Sequence, residues 1–89
     1  MLVAVQSGAV ARDVKRKLKR NKDPAKLRTV LTLLIERKPL PRQYLDHPLK
    51  GDWKGHHDLH IEPDWLLIYR VVGNELRLAR TGTHNDIFG

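Results

Sequence analysis

The stretch His56–Arg70, "HHDLHIEPDWLLIYR", decides the fold. Leu59 and Ile61 alternate with Asp58, His60 and Glu62, the period of a strand with one face buried. Pro63 suits the second position of a β-turn. Beyond it, Trp65–Val72 is apolar on both faces at first, with Leu66 and Ile68 on one side and Trp65, Leu67 and Tyr69 on the other. A central strand reads this way. Gly73-Asn74 is a two-residue hairpin signal, so Glu75–Arg80 returns as the partner strand. A histidine and a carboxylate, His60 and Asp64, therefore stand at the mouth of the most buried strand.

Working outward, Met1–Val5 is a short strand of apolar, partly β-branched residues. Ser7 can cap a helix of roughly 8–20, on which Val10, Val14 and Leu18 form a narrow apolar stripe. Asp23 and Pro24 open a second helix of about 24–37, with Leu27, Val30, Leu31 and Leu34 at i, i+3, i+4, i+7. "KPLPRQ" ends it, because two prolines remove donors and hold the chain extended. Residues 43–56 read as loop with one short strand near Trp53, and "TGTHNDIFG" closes the chain. The order β-α-α-β-β-β predicts an α+β domain, 1–89, whose mainly antiparallel sheet packs against a two-helix hairpin.

The 89 residues suffice for one domain. Absence of cysteine removes disulfides, iron–sulfur clusters and thiolate zinc sites. "MLVAV" is too short for a signal core or a membrane span, so the reading is a cytoplasmic protein that engages no membrane. The net charge of +7 is concentrated: residues 12–28 hold nine basic side chains against two acidic ones, and the rest of the chain balances. Such a segment suits a polyanion or an acidic protein, the alternative being a solvated helix face.

All five histidines, His47, His56, His57, His60 and His84, lie in the second half. If both hairpins form, His60, Asp64 and His84 meet at one edge of the sheet, and His47 can join from its loop. Histidine gives and takes protons near neutrality. RNA cleavage needs a base for the 2′-hydroxyl, an acid for the leaving 5′-oxygen, and positive charge at the phosphate. Two histidines and a carboxylate cover the first two needs; Arg80, Arg77, Lys50 and Lys54 are candidates for the third. Trp65 and Phe88 offer flat surfaces on which a base could stack, although Trp65 also reads as core and Phe88 as a C-terminal anchor. His56, His57, His60, Asp64 and His84 are metal-ligand types, yet no spacing such as HExxH is present, so no metal and no cofactor are assigned.

Three segments, "LPRQYLDHPLKGDWKG", "DLHIEPDWLLIYR" and "LARTGTHNDIFG", closely resemble the YafQ branch of the RelE-type toxins. The resemblance implies a RelE-like fold and the toxin component of a type II toxin–antitoxin system. It implies a metal-independent endoribonuclease, an mRNA interferase that cuts mRNA in the ribosomal A site against ribosomal RNA and so inhibits translation. A cognate acidic antitoxin would hold it inactive, with DNA engaged only indirectly through that antitoxin. By position, His47 of "DHPL", His60 and Asp64 of "HIEPDW" and His84 of "RTGTH" would handle protons and the scissile phosphate. His60 with Asp64 is expected on the base side and His84 as acid or phosphate contact. Trp65, Arg80, Phe88, His57 and Lys54 complete the expected substrate-binding set. His56-His57 stands where relatives often show an aromatic and an arginine, and the first helix has Gly8, Ala9 and Val10 where they carry an aromatic. The alternative is a non-catalytic RelE-fold module acting with its antitoxin in operon autoregulation.

Overall fold

Five strands form one sheet in the order β1-β5-β4-β3-β2, in a computed structural model that describes residues 1–89. They are β1 (Val3–Gln6), β2 (His47–Pro48), β3 (His57–Glu62), β4 (Trp65–Val72) and β5 (Glu75–Gly82). The helices are α1 (Gly8–Lys19), α2 (Pro24–Ile35) and α3 (His84–Phe88). Only β1 and β5 pair in parallel. The α+β reading and the central place of Trp65–Val72 both stand.

Two local expectations change. The short strand lies at His47–Pro48 rather than near Trp53, which ends a one-turn 3-10 helix opened by Gly51 at φ 68°. The last strand runs on to Gly82 rather than ending at Arg80, and beyond it Thr83 Oγ1 accepts from Asp86 N while Asp86 accepts from Thr83 N, a reciprocal cap that starts α3.

Both long helices cover one face of the sheet. Ser7 Oγ accepts from Val10 N at 3.0 Å to start α1, and Asp23 caps α2 with Pro24 in its first turn. Val10, Val30 and Leu34 then pack on Leu59, Ile61, Trp65, Leu67, Tyr69, Leu76 and Leu78. The stripe α1 buries is Val10, Asp13 and Lys17, whereas Leu18 is 45% exposed. Charge demand decides this departure. Asp13 accepts from Arg80 at 2.6 and 3.2 Å and from Thr81 N at 3.1 Å, and Lys17 lies 3.2 Å from Asp86. Buried ions persist when each meets its partner.

Lys22 and Lys26 both donate to Glu62, at 2.7 and 2.8 Å, tying the helical hairpin to the end of β3. Arg16, Lys17, Arg20, Lys22 and Lys26 thus meet acidic partners within the chain. The basic segment offers an outside polyanion chiefly Arg12, Lys15, Lys19 and Arg28, all exposed.

The register fixes what the opposite face carries. Asp58 pairs with Ile68, His60 with Leu66, and His47 with Asp58, so His47, Asp58 and His60 share the face away from the helices. Ala79 is an extra residue in β5, since Ile68 opposes Arg80 while Tyr69 opposes Leu78. Such a bulge re-aims the strand that follows, here toward α1 and α3.

Candidate active site

Three imidazoles line up on that open face. The His60 ring lies between His47, 6.1 Å away centroid to centroid, and His84, 5.7 Å away. They arrive from β2, β3 and α3.

Each outer ring is oriented by an acceptor on its Nδ1. His47 Nδ1 donates to Leu45 O at 2.8 Å, across a turn in which Leu45 takes the left-handed conformation at φ 48°. Its Nε2 then points toward Asp58, 3.7 Å from Oδ2. His84 donates twice to Asp64 Oδ1, from its backbone N at 3.0 Å and from Nδ1 at 2.6 Å. These bonds, the backbone one foremost, hold the Asp64 carboxyl below the usual carboxylate range, so it stays ionised. With Nδ1–H committed, His84 Nε2 is left for a substrate.

Asp64 pairs with His84, not with His60 as expected. The carboxylate beside His60 is Asp58, which is not among the expected site residues. Asp58 is 4% exposed, and neither its Oδ1 nor His60 Nδ1 has a hydrogen-bond partner. Burial pushes its carboxyl up, against the pull of His60, His47 and His84. Its signal was available in the sequence: it stands two residues before His60 in a strand, hence on the same face. One ligand-type atom from each of His47, Asp58 and His60 lies within 4.8 Å of the others, a set able to grip a metal ion.

The position of His84 depends on how α3 is docked. Asp86 binds Thr83 N at 3.0 Å, Lys17 Nζ at 3.2 Å and Arg20 at 3.4 Å. The Thr83 N–H above all pulls its carboxyl down to about 2. Gly82 lets this happen, because a Cβ there would sit 2.9 Å from the Asp86 side chain.

The remaining expected residues scatter. Arg80, raised by its hydrogen bond to Asp13, also donates to Asp86 O at 3.4 Å and is braced between α1 and α3. Phe88 is 46% exposed, one helical turn beyond His84 and so on its side of α3. Trp65 is 1% exposed and donates to Thr81 Oγ1 at 3.0 Å, so no base can stack on it and the core reading holds. His57 turns to the helix-covered face, its ring 5.5 Å from Tyr69 and its Nδ1 3.4 Å from Asp46, away from the three-histidine line. Lys50 and Lys54 flank the 3-10 turn before β3, exposed, and Arg77 lies farther along the open face.

Residues 3–89 match the family model for a bacterial toxin of type II toxin-antitoxin system, YafQ. The chain belongs to the YafQ family. Among YafQ proteins, the mRNA interferase toxin YafQ of Escherichia coli (strain K12) is 54% identical over 84 residues, covering 93% of this chain and 91% of the relative. The crystal structure of the E. coli DinJ–YafQ complex contains a chain that superposes with a TM-score of 0.92 at 49% identity, each covered fully. A metal-bound toxin from Helicobacter pylori superposes with a TM-score of 0.93 at 37% identity, covering 99% of this chain and 100% of that one. The RelE-like fold expected from the resemblance is thereby borne out, and this YafQ-family chain is a toxin of a type II toxin–antitoxin system. None of its helices is long and apolar enough to cross a membrane.

Proposed function

We propose that this type II toxin, an endoribonuclease by family, cuts mRNA in the ribosomal A site by proton transfer between histidines, without a metal ion. The observation that carries the reading is the hydrogen bond from His84 Nδ1 to Asp64 beside a second, separately oriented imidazole at His60. Asp64, 2.6 Å from His84 Nδ1, fixes that ring with its Nε2 free to face the substrate. His84 therefore protonates the leaving 5′-oxygen, and His60 takes the proton of the attacking 2′-hydroxyl. Each positioned transfer is worth ~10²–10⁴-fold.

His47, the third ring of the line and held by Leu45 O, faces the phosphate where it gathers negative charge, and a group fixed in place contributes there without reorganising. Phe88, on the His84 side of α3, is the surface left for a base to stack on. The partners in this reading are mRNA and ribosomal RNA in the cytoplasm, and a cognate acidic antitoxin that blocks the site; DNA is met only through that antitoxin.

Expression without antitoxin in growing cells tests it. Growth should stop with the wild type, and His60→Ala, Asp64→Ala or His84→Ala should each restore growth while remaining folded. Three variants as toxic as the parent would remove the site, and a harmless wild type would favour a non-catalytic module.

A further inference from the structure

Arg70 and Arg77 face each other directly across β4 and β5. Both lie on the open face, because Leu66, Ile68 and Arg70 alternate along β4 and Leu66 opposes His60. Like charges directly opposite each other destabilise a sheet unless something anionic lies between or beside them. Arg77 has Glu75 at 2.9 Å, while Arg70, half-buried, forms no ion pair. The two guanidiniums border a concavity of about 430 Å³ whose other walls include His56, Val5 and Ser7. The hollow therefore holds guanidinium N–H donors that the protein itself does not pair, those of Arg70 foremost.

We propose that this hollow is a binding subsite for a phosphodiester of single-stranded RNA flanking the cut. The inference rests on the proposed ribonuclease reading and extends it. Its position on the sheet carries it: Arg70 is four residues from Leu66, the cross-strand neighbour of His60. At ~3.3 Å per residue that is roughly 13 Å along one face, a span that a few extended nucleotides cover. The arginines present planar forks suited to phosphate oxygens. Val5, 40% exposed, provides the apolar wall for a sugar or base edge. An acidic peptide could satisfy the arginines too, but continuity with the histidine line on the same face favours the nucleic acid.

The test is the affinity of the full chain for a short 2′-O-methyl oligoribonucleotide, which lacks the attacking hydroxyl, measured over a range of salt. R70Q/R77Q should weaken binding by about 10-fold and reduce the slope of log affinity against log salt by ~0.7 per lost contact. R70K/R77K, which keeps the charges, should retain most of the slope. Equal slopes for wild type and R70Q/R77Q would overturn the subsite, as would failure of the wild type to bind. So would unchanged RNA binding accompanied by weakened antitoxin binding, which assigns the hollow to the acidic protein. Failure of the ribonuclease reading shows separately, as absence of cut mRNA when the wild type is added to a translating extract.

Discussion

Asp64 Oδ1 accepts both the backbone N–H and the Nδ1–H of His84, at 3.0 and 2.6 Å, although the two residues are twenty apart in sequence. One oxygen thereby fixes the start of α3 and the tautomer of the ring at its first position. Removing only the charge separates these roles. Asp64→Asn should leave α3 in place but lower cleavage about 10–100-fold, since a protonated His84 loses its compensation. A variant with an unchanged rate would mean that the carboxylate only shapes the turn.

Asp58 should cost the protein stability. Its carboxyl is raised by burial, so the folded state prefers it protonated. Folding is then most favoured below the ordinary value of 3.8, and that advantage is lost as pH rises through the folded value. Asp58→Asn should accordingly raise the melting temperature at pH 7, by about 4–8 °C per kcal/mol regained, with a gain that shrinks in acid. Cleavage should fall in the same variant, the trade expected of a functional group kept at a structural cost. Thermal scans at neutral and acidic pH check the sign; destabilisation at pH 7 would contradict it.

Asp86 should behave in the opposite sense. With a carboxyl held down to about 2, it contributes stability above its ordinary value, and this is lost as pH falls from about 4 through 2. Asp86→Asn should destabilise the protein at neutral pH by about 1 kcal/mol after allowance for solvent screening at the rim. The difference from wild type should close near pH 2. Lys17→Met, which removes the buried cation beside it, should cost about 1–3 kcal/mol. It should reduce cleavage more than it reduces RNA binding, because α3 and His84 loosen together.

Much of this arrangement was legible in the sequence. The period-2 pattern of Leu59 and Ile61, the Pro63 turn and Gly73-Asn74 set the central hairpins, because burial and turn chemistry there are local. His47, His60 and His84 come together as expected: His60 through the register of those hairpins, His47 through the pairing of β2 on β3, and His84 at the start of α3. The partner of Asp64 was not readable, because it depends on α3, and α3 depends on the Thr83–Asp86 cap and on ion pairs reaching α1. Lys17 instead of Leu18 on the buried stripe of α1 has the same origin: a distant carboxylate, not local hydropathy, chooses the face. Trp65 carries an indole N–H that serves a core and a stacking platform equally well; only the position of Thr81 separates them.

A metal ion should inhibit, not activate. His47, Asp58 and His60 bring ligand atoms within 4.8 Å of one another, and a cation held there would occupy the lone pair His60 needs as base. Zinc or copper(II) added to the purified toxin should slow cleavage, and a chelator should restore it without reducing the metal-free rate. His47→Gln should blunt the inhibition. Activity that disappears with chelator alone would reverse the assignment.

The central claim is cleavage by attack of a 2′-hydroxyl with histidines moving the protons, and the chemistry of the new ends reads it directly. Messenger RNA recovered from a translating extract after toxin addition should carry 5′-hydroxyl ends downstream of the cut and cyclic 2′,3′-phosphates upstream. Neither should form with His84→Ala. Fragments bearing 5′-phosphates and 3′-hydroxyls, the products of an activated water, would contradict the account.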